Sequence, residues 1–462
     1  MKKLVTALVF VCLCAFAAAP LPVAIRNARI ITVSGPPIAK GTVVLRNGLI
    51  EAVGENVPVP ADAWVVDGEG LTVYPGLIDS LSTWGMPGTA TVATATTGRG
   101  GRGGQQATPA TTPTPATTIT TTERARGPQD RPSTTSWVHA ADEIQTTDPR
   151  IERARSAGFA SAVVFPTRGI FAGQGSIVNL GTAEKAGELV VAPSAGQYVS
   201  FARAGGFGGG FPSALMGTIS YVRQIYLDAE HYKLVQEAYA KDPRGVQRPQ
   251  YDRALEGVLE SRRILLPANR LVEIDRMLRF AAELKQPAIL YGGHEAYRAE
   301  TADLLKRYKT PLLISLRWPE APRDANPEDE VTFRTLEMRD KAATAPALLK
   351  KAGGSFAFYS DGLDQPRDLQ RAVKKAIDGG LSREDAIRAL TLGPAEIYGV
   401  ADRLGSIEKG KIGNVVVTRG DLFDDRTKIE MIFIDGRKYV PAPETPPTGG
   451  RGPATENPGD NR

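Results

Sequence analysis

The sequence predicts an α/β protein in which a body of alternating strands and helices is accompanied by a small antiparallel sheet. Three observations point there. Apolar runs of strand length alternate with helical repeats from about Thr147 onward. Short strands separated by Gly- and Pro-bearing turns crowd the stretch from Ala24 to Asp67. Similar pieces return near the C-terminus, in Asn414 to Val417 and Lys428 to Tyr439, with a turn at Asp435-Gly436.

At 462 residues the chain can hold two or three domains with a large core. The net charge is +5, and Lys2 and Lys3 supply two of those charges. No Lys/Arg stripe is interleaved with aromatics, so nucleic-acid binding is not expected. The 3 histidines are His139, His231 and His294, and no two stand at metal-ligand spacing.

Lys2-Lys3 followed by the apolar run Leu4 to Phe16 reads as an export signal, 1–17, with Ala15-Phe16-Ala17 as the cleavage site. The run is short of the ~20 residues of a spanning helix, so no stable membrane span is expected after cleavage; an uncleaved anchor is the alternative. Cys12 and Cys14 are the only cysteines and lie inside the signal. Val11 and Leu13 precede them where a lipoprotein signal needs a small residue. The mature chain is then cysteine-free, which excludes disulfides and thiol catalysis. A periplasmic or secreted bacterial protein is the expectation.

Thr42 to Arg46, the hairpin dipeptide Asn47-Gly48 and Leu49 to Gly54 form a β-hairpin, and Trp64 to Asp67 adds a strand. The stretch 88–132 is Thr, Ala, Gly, Pro and Arg in low-complexity runs, too polar to offset ordering entropy, and reads as a solvated insertion. Asp148-Pro149 opens a helix that Gly158 stops. Phe159 to Phe165, Gly175 to Leu180 and Glu188 to Ala192 read as strands. The Gly-rich run Phe201 to Pro212 lacks a following Gly-Lys-Ser/Thr and is not a phosphate loop. A helix follows from about Ala214 to Ala240, with His231 on its surface. Leu271, Ile274, Met277, Leu278, Ala281 and Leu284 repeat at helical spacing before a strand, Pro287 to Tyr291. Pro311 to Leu316 and Ser355 to Tyr359 are further strands, and Ser382 with Asp385 starts a capped helix. The tail 441–462 is polar and Pro/Gly-rich and reads as disordered.

The chain is organised around VDGEGLTVYPGLIDSLSTWG, residues 66–85, which reads as one short buried strand, Leu71 to Ile78, interrupted by Pro75-Gly76. This stretch resembles the first barrel strand of the amidohydrolase superfamily, nearest to its imidazolonepropionase-like members. AGFASAVVFPTRGIFAGQGSIVNL, the turn Gly293-His294-Glu295-Ala296-Tyr297, Ser360-Asp361-Gly362, and the run from Ala372 to Val417 resemble later family motifs in the same order.

The resemblance implies a TIM-type (β/α)8 barrel, 71–404, flanked by a small β-sandwich built from both chain ends, 22–70 and 405–440. It places the 88–132 insertion on the catalytic face. It implies a hydrolase acting on carbon–nitrogen bonds other than peptide bonds, with zinc or a similar divalent metal. The family's two first-strand histidines fall on Leu81 and Thr83, and a third ligand position falls on Gly292. None of the three supplies an imidazole, so the expectation is that no cofactor is held. Asp361 occupies the position of the family's catalytic aspartate. The candidate catalytic residues are Asp361, His294 and Glu295, with Arg168 and Arg317 as candidate binding residues. Two of these have a bland counterpart: His294 facing solvent, and Asp361 stabilising its turn or pairing with Arg168 or Arg317.

Two readings of function remain open. The first is an exported family member with a degenerate metal site, weakly active or non-catalytic, whose barrel mouth binds a small-molecule ligand or an active paralogue. The second is a divergent hydrolase of cyclic amide-like carbon–nitrogen bonds with Asp361 as general base.

Overall fold

The computed structural model describes residues 21–87, 130–201, 211–212, 214–322, 324–326, 328–424 and 427–442. The export signal, nearly all of the 88–132 insertion, most of the 202–212 glycine-rich run and most of the 441–462 tail lie outside these.

Among the described residues two eight-stranded sheets form. The first contains β1 (Val23–Ile30), β2 (Ile38–Arg46), β3 (Leu49–Gly54), β4 (Trp64–Asp67) and β5 (Thr72–Pro75). The other end of the chain adds β14 (Val415–Arg419), β15 (Lys428–Ile434) and β16 (Arg437–Tyr439). The two ends meet where β5 pairs antiparallel with β14. Ile25, Val43, Leu45, Val73, Val415 and Phe433 fill the core of this sheet. Two tight hairpins turn through positive φ, at Asn47-Gly48 and at Asp435-Gly436. The sheet is mixed rather than purely antiparallel, because β4 and β5 both run parallel to β1.

The second sheet is β6 (Leu77–Ser82), β7 (Phe159–Val164), β8 (Phe171–Asn179), β9 (Val190–Val199), β10 (Ile264–Ala268), β11 (Ala288–Gly292), β12 (Leu312–Ser315) and β13 (Phe356–Tyr359). Its strands follow one another in chain order around a nearly closed barrel of the TIM type, as expected. One strand departs from the all-parallel pattern: β8 runs antiparallel to both β7 and β9. The glycines at 173, 175 and 196 permit this close hairpin; Gly173 and Gly196 have φ of 135° and 132°. Accordingly β9 begins at Val190 and runs to Val199, further along than the predicted Glu188 to Ala192.

The stretch read as one strand, Leu71 to Ile78, is two strands in two sheets. The chain breaks at Gly76, whose N–H bonds Asn414 O at 2.8 Å. A Cβ there would stand 2.3 Å from that of Ala160, so only glycine lets the two sheets approach this closely.

Helices cover the barrel. Pro149–Ser156 is capped by Asp148, whose carboxylate accepts from the Arg150 N–H. Leu271–Glu283 buries Ile274, Met277, Leu278 and Ala281, one stripe at helical spacing. Leu392–Tyr398 packs beneath the barrel, with Ala395 and Tyr398 joining the interior cluster of Ile78, Leu265, Ile289 and Leu313.

The seam between β6 and β13 is closed by side chains. Ser80 Oγ donates to Phe358 O at 2.6 Å, and Tyr398 OH donates to Ser80 O at 2.7 Å. Asp79, fully buried, accepts from Ser360 N–H at 2.8 Å and from Ser360 Oγ at 2.6 Å.

Candidate functional site at the barrel mouth

Alternation along the strands decides what lines the mouth. Leu265, Ile289, Leu313 and Ala357 point inward, so the residues two further on, at the carboxyl ends, are Pro267, Tyr291, Ser315 and Tyr359. Phe165 and Tyr198 complete this layer. It is largely aromatic. Tyr291 OH donates to Tyr198 OH at 2.9 Å, with the rings stacked at 5.5 Å, and Phe165 lies 5.7 Å from Tyr198. Burial raises the phenols of Tyr198, Tyr291 and Tyr359 above their ordinary range, and the charge of Asp361 adds to each shift. These phenols are neutral donors at neutral pH.

Asp361 follows β13 in a left-handed conformation, φ 51°, which a residue other than glycine adopts at a cost of about 1 kcal/mol or more. Ser315 Oγ donates to its Oδ2 at 2.8 Å, and Arg317 Nε donates to its main-chain O at 3.0 Å. Arg317 therefore holds the Asp361 backbone and leaves part of the carboxylate open.

His294, in the turn after β11, lies within electrostatic reach of Asp361. Its Nε2 is buried and has no hydrogen-bond partner. Burial lowers its pKa, against the raising influence of the Asp361 charge and the Arg317 main chain. The imidazole is neutral at pH 7 and retains an unused polar atom.

The structure thus brings Asp361, His294 and Arg317 together with Ser315 and the tyrosines. It does not bring Arg168 or Glu295 to them. Arg168 is exposed and donates to Pro87 O at 3.4 Å. Glu295 is buried and takes two bonds from Arg334, at 2.5 and 2.7 Å, and one from the Leu271 N–H at 3.0 Å. Those bonds hold its carboxyl below the usual range.

Asp79 was not among the candidates. Burial raises its pKa from 3.8 to about 7, against bonds from Ser360, and it lies one strand away from Asp361. Its signal was a carboxylate inside an otherwise uncharged buried run, Leu77 to Ser82.

Residues 295–439 match the model of the amidohydrolase family. An adenine deaminase from Moorella thermoacetica is 38% identical over 144 residues, which are 31% of this chain and 22% of that enzyme. The match thus spans well under half of that relative's length. Among solved structures, an amidohydrolase from Thermotoga maritima superposes with a TM-score of 0.70 at 26% identity, covering 91% of this chain and 100% of that one. A prolidase complexed with N-methylphosphonate-L-proline gives 0.51 at 14% identity, covering 91% of this chain and 100% of that one, a likeness of fold alone.

These findings correct the expectation that no cofactor is involved. The matched family is one of metal-dependent hydrolases, so the substitutions at Leu81, Thr83 and Gly292 do not establish a cofactor-free protein. The described residues fit a resident ion poorly all the same. No group of three or more His, Cys, Asp or Glu converges among them. Leu81 packs against the barrel interior, and a Cβ at Gly292 would meet Asn269 Oδ1 at 2.3 Å. No chemical step is therefore routed through a metal below.

Proposed function

Taking as premise that this chain belongs to the amidohydrolase superfamily, we propose that its barrel mouth is a binding site for a small polar molecule, which it turns over weakly or not at all. The observation that carries this is His294 Nε2, buried and unpartnered within electrostatic reach of Asp361. An unsatisfied buried polar atom costs roughly 1–3 kcal/mol, a cost that a ligand hydrogen bond would remove. Asp361 offers an acceptor and the Tyr198–Tyr291 pair an aromatic floor. A cyclic amide carries complementary N–H and C=O groups on a flat ring.

The experiment is calorimetric titration with hydantoin and dihydrouracil, alongside a turnover assay with and without added zinc. Saturable binding that His294→Ala weakens about tenfold, with negligible turnover, supports the reading. Absence of binding to either ring at millimolar concentration would sink it.

A second reading, hydrolysis of the carbon–nitrogen bond, is favoured by the position of Asp361 at the strand end beside Ser315. Asp361 would take the proton of a water as its oxygen adds to the carbonyl carbon. The proton would pass to nitrogen as the C–N bond breaks. Turnover abolished by Asp361→Asn would establish this reading over the first.

We also infer that the protein acts outside the cytoplasm, on the basic and apolar run of residues 2–16. Recovery of full-length chain in the cytosolic fraction would refute this. If an active paralogue occupies the mouth instead, mixed samples will elute together on size exclusion.

A further inference from the structure

At the opposite end of the barrel, the amino ends of three adjacent parallel strands frame a cavity of about 480 Å³. Arg262 and Arg263 lead into β10, Gln286 precedes β11, and Lys309 and Thr310 lead into β12. Ile397 borders it from the helix beneath the barrel. Ala282 at the end of the helix Leu271–Glu283, with Pro287 and the half-buried Tyr308, gives one wall its apolar surface.

The charge around this cavity is one-sided. Two guanidiniums and an ammonium line it, and no Asp or Glu does. Arg263 is half-buried and donates to the Ile397 carbonyl. Buried guanidiniums are ordinarily paired with a carboxylate or another anion. Burial and neighbouring Arg262 both depress the Arg263 pKa, and only the Tyr398 hydroxyl opposes them. Among the described residues the Ile397 carbonyl is its hydrogen-bond acceptor, and no carboxylate figures among the groups that act on it.

We propose that this cavity is a binding site for a small organic anion of the phosphate-monoester class. A dianion with three terminal oxygens matches two guanidinium forks and an ammonium. The volume exceeds what inorganic phosphate needs and lies within the ~300–1,000 Å³ of small-molecule sites. The apolar wall gives the organic part a place to sit. The site is separate from the mouth, so the inference stands whatever the mouth does.

The test is calorimetric titration of the full chain with phenyl phosphate, inorganic phosphate and phenol. Phenyl phosphate should bind saturably, more tightly than inorganic phosphate, and phenol should not bind. Arg262→Gln combined with Lys309→Asn should weaken phenyl phosphate about tenfold or more. Lys309 has φ 52°, a conformation that asparagine tolerates, so this variant should fold. Arg263→Gln should weaken it as well, and Asp361→Asn at the far end should not. The proposal is overturned if millimolar phenyl phosphate does not bind, or if the double variant binds it as the wild type does. Loss of binding in Asp361→Asn, or equal affinity for inorganic phosphate, would overturn it too.

Discussion

Asp79 and Ser360 share two hydrogen bonds across the seam of the barrel, one from the Ser360 N–H at 2.8 Å and one from its hydroxyl at 2.6 Å. Neighbouring β6 and β13 are the first and last strands, so this pair ties together residues 281 apart in the chain. It also fixes the residue just before Asp361. A single carboxylate thereby links closure of the fold to placement of the candidate site.

Asp79→Ala should destabilise the protein by about 2–4 kcal/mol, since it strands two buried donors of Ser360. The pH dependence has a definite sign. The folded-state pKa is raised from 3.8 to about 7, so between these values the native state binds a proton that the unfolded chain has released. Stability from this group should therefore fall as pH rises from about 4 to about 7, by roughly 4 kcal/mol at most, and level off above. Urea unfolding of wild type and Asp79→Asn at pH 5 and pH 8 checks this. The fall from pH 5 to pH 8 should be smaller in the variant.

Glu295 anchors the helix Phe333–Lys341, which buries no residue of its own, through Arg334. Arg298 pairs with Glu337 of the same helix at 2.7 Å. Replacing Glu295 with Gln should cost about 2 kcal/mol, because a buried charged acceptor is lost. Its carboxyl is held low, so its contribution is present above about pH 4.5 and disappears as pH falls through the folded-state pKa. Limited proteolysis should cut the segment around Phe333 faster in Glu295→Gln than in wild type. Equal rates would show that the ion pair does not hold the helix.

How much of this was legible depended on the physical signal each feature leaves. The helix caps at Asp148 and Ser382 and the turns at Asn47-Gly48 and Asp435-Gly436 were readable because they are local. The motifs that follow one another in order from Val66 to Val417 identified the barrel. Pro75-Gly76 read only as an interruption within one strand because Leu71 to Ile78 is buried on both sides of it, and the approach of Ala160 shows that two sheets meet there. The reversal of β8 was hidden because a strand buried along its whole length reads the same in either direction. The tyrosine layer follows from alternation: Tyr291 stands two residues beyond Ile289, and Tyr359 two beyond Ala357. What alternation could not tell is that the Tyr198 and Tyr291 hydroxyls would bond each other. Nor does sequence spacing reveal that Glu295 turns away to Arg334, 39 residues on.

Gly292 has φ 119°, and a Cβ there would fall 2.3 Å from Asn269 Oδ1 and 3.2 Å from Ala268 O. The site therefore resists any side chain. Gly292→Ala should cost about 1–3 kcal/mol through strain and crowding. Pairing it with Asn269→Ala should recover only the crowding part, since the backbone strain stays. Chemical denaturation of the two single variants and the double variant separates the contributions, and full recovery would show that φ at this position is unimportant.

Gly175 in β8 faces the ring of Phe165, and a Cβ there would lie 2.1 Å from Phe165 Cε1. Its backbone is not left-handed, so the demand for glycine comes from space alone. Gly175→Ala should destabilise by about 1–3 kcal/mol as the ring is forced off its position. That ring packs 5.7 Å from Tyr198, whose hydroxyl accepts from Tyr291, so the displacement should reach the mouth. Phe165→Leu opens the space, and the double variant should be more stable than the sum of the single effects implies by about 1 kcal/mol. Strict additivity would show that the alanine methyl finds room elsewhere. Ligand titration of the same three proteins extends the test: Gly175→Ala should weaken hydantoin binding at the mouth, and Phe165→Leu in the same chain should restore part of it.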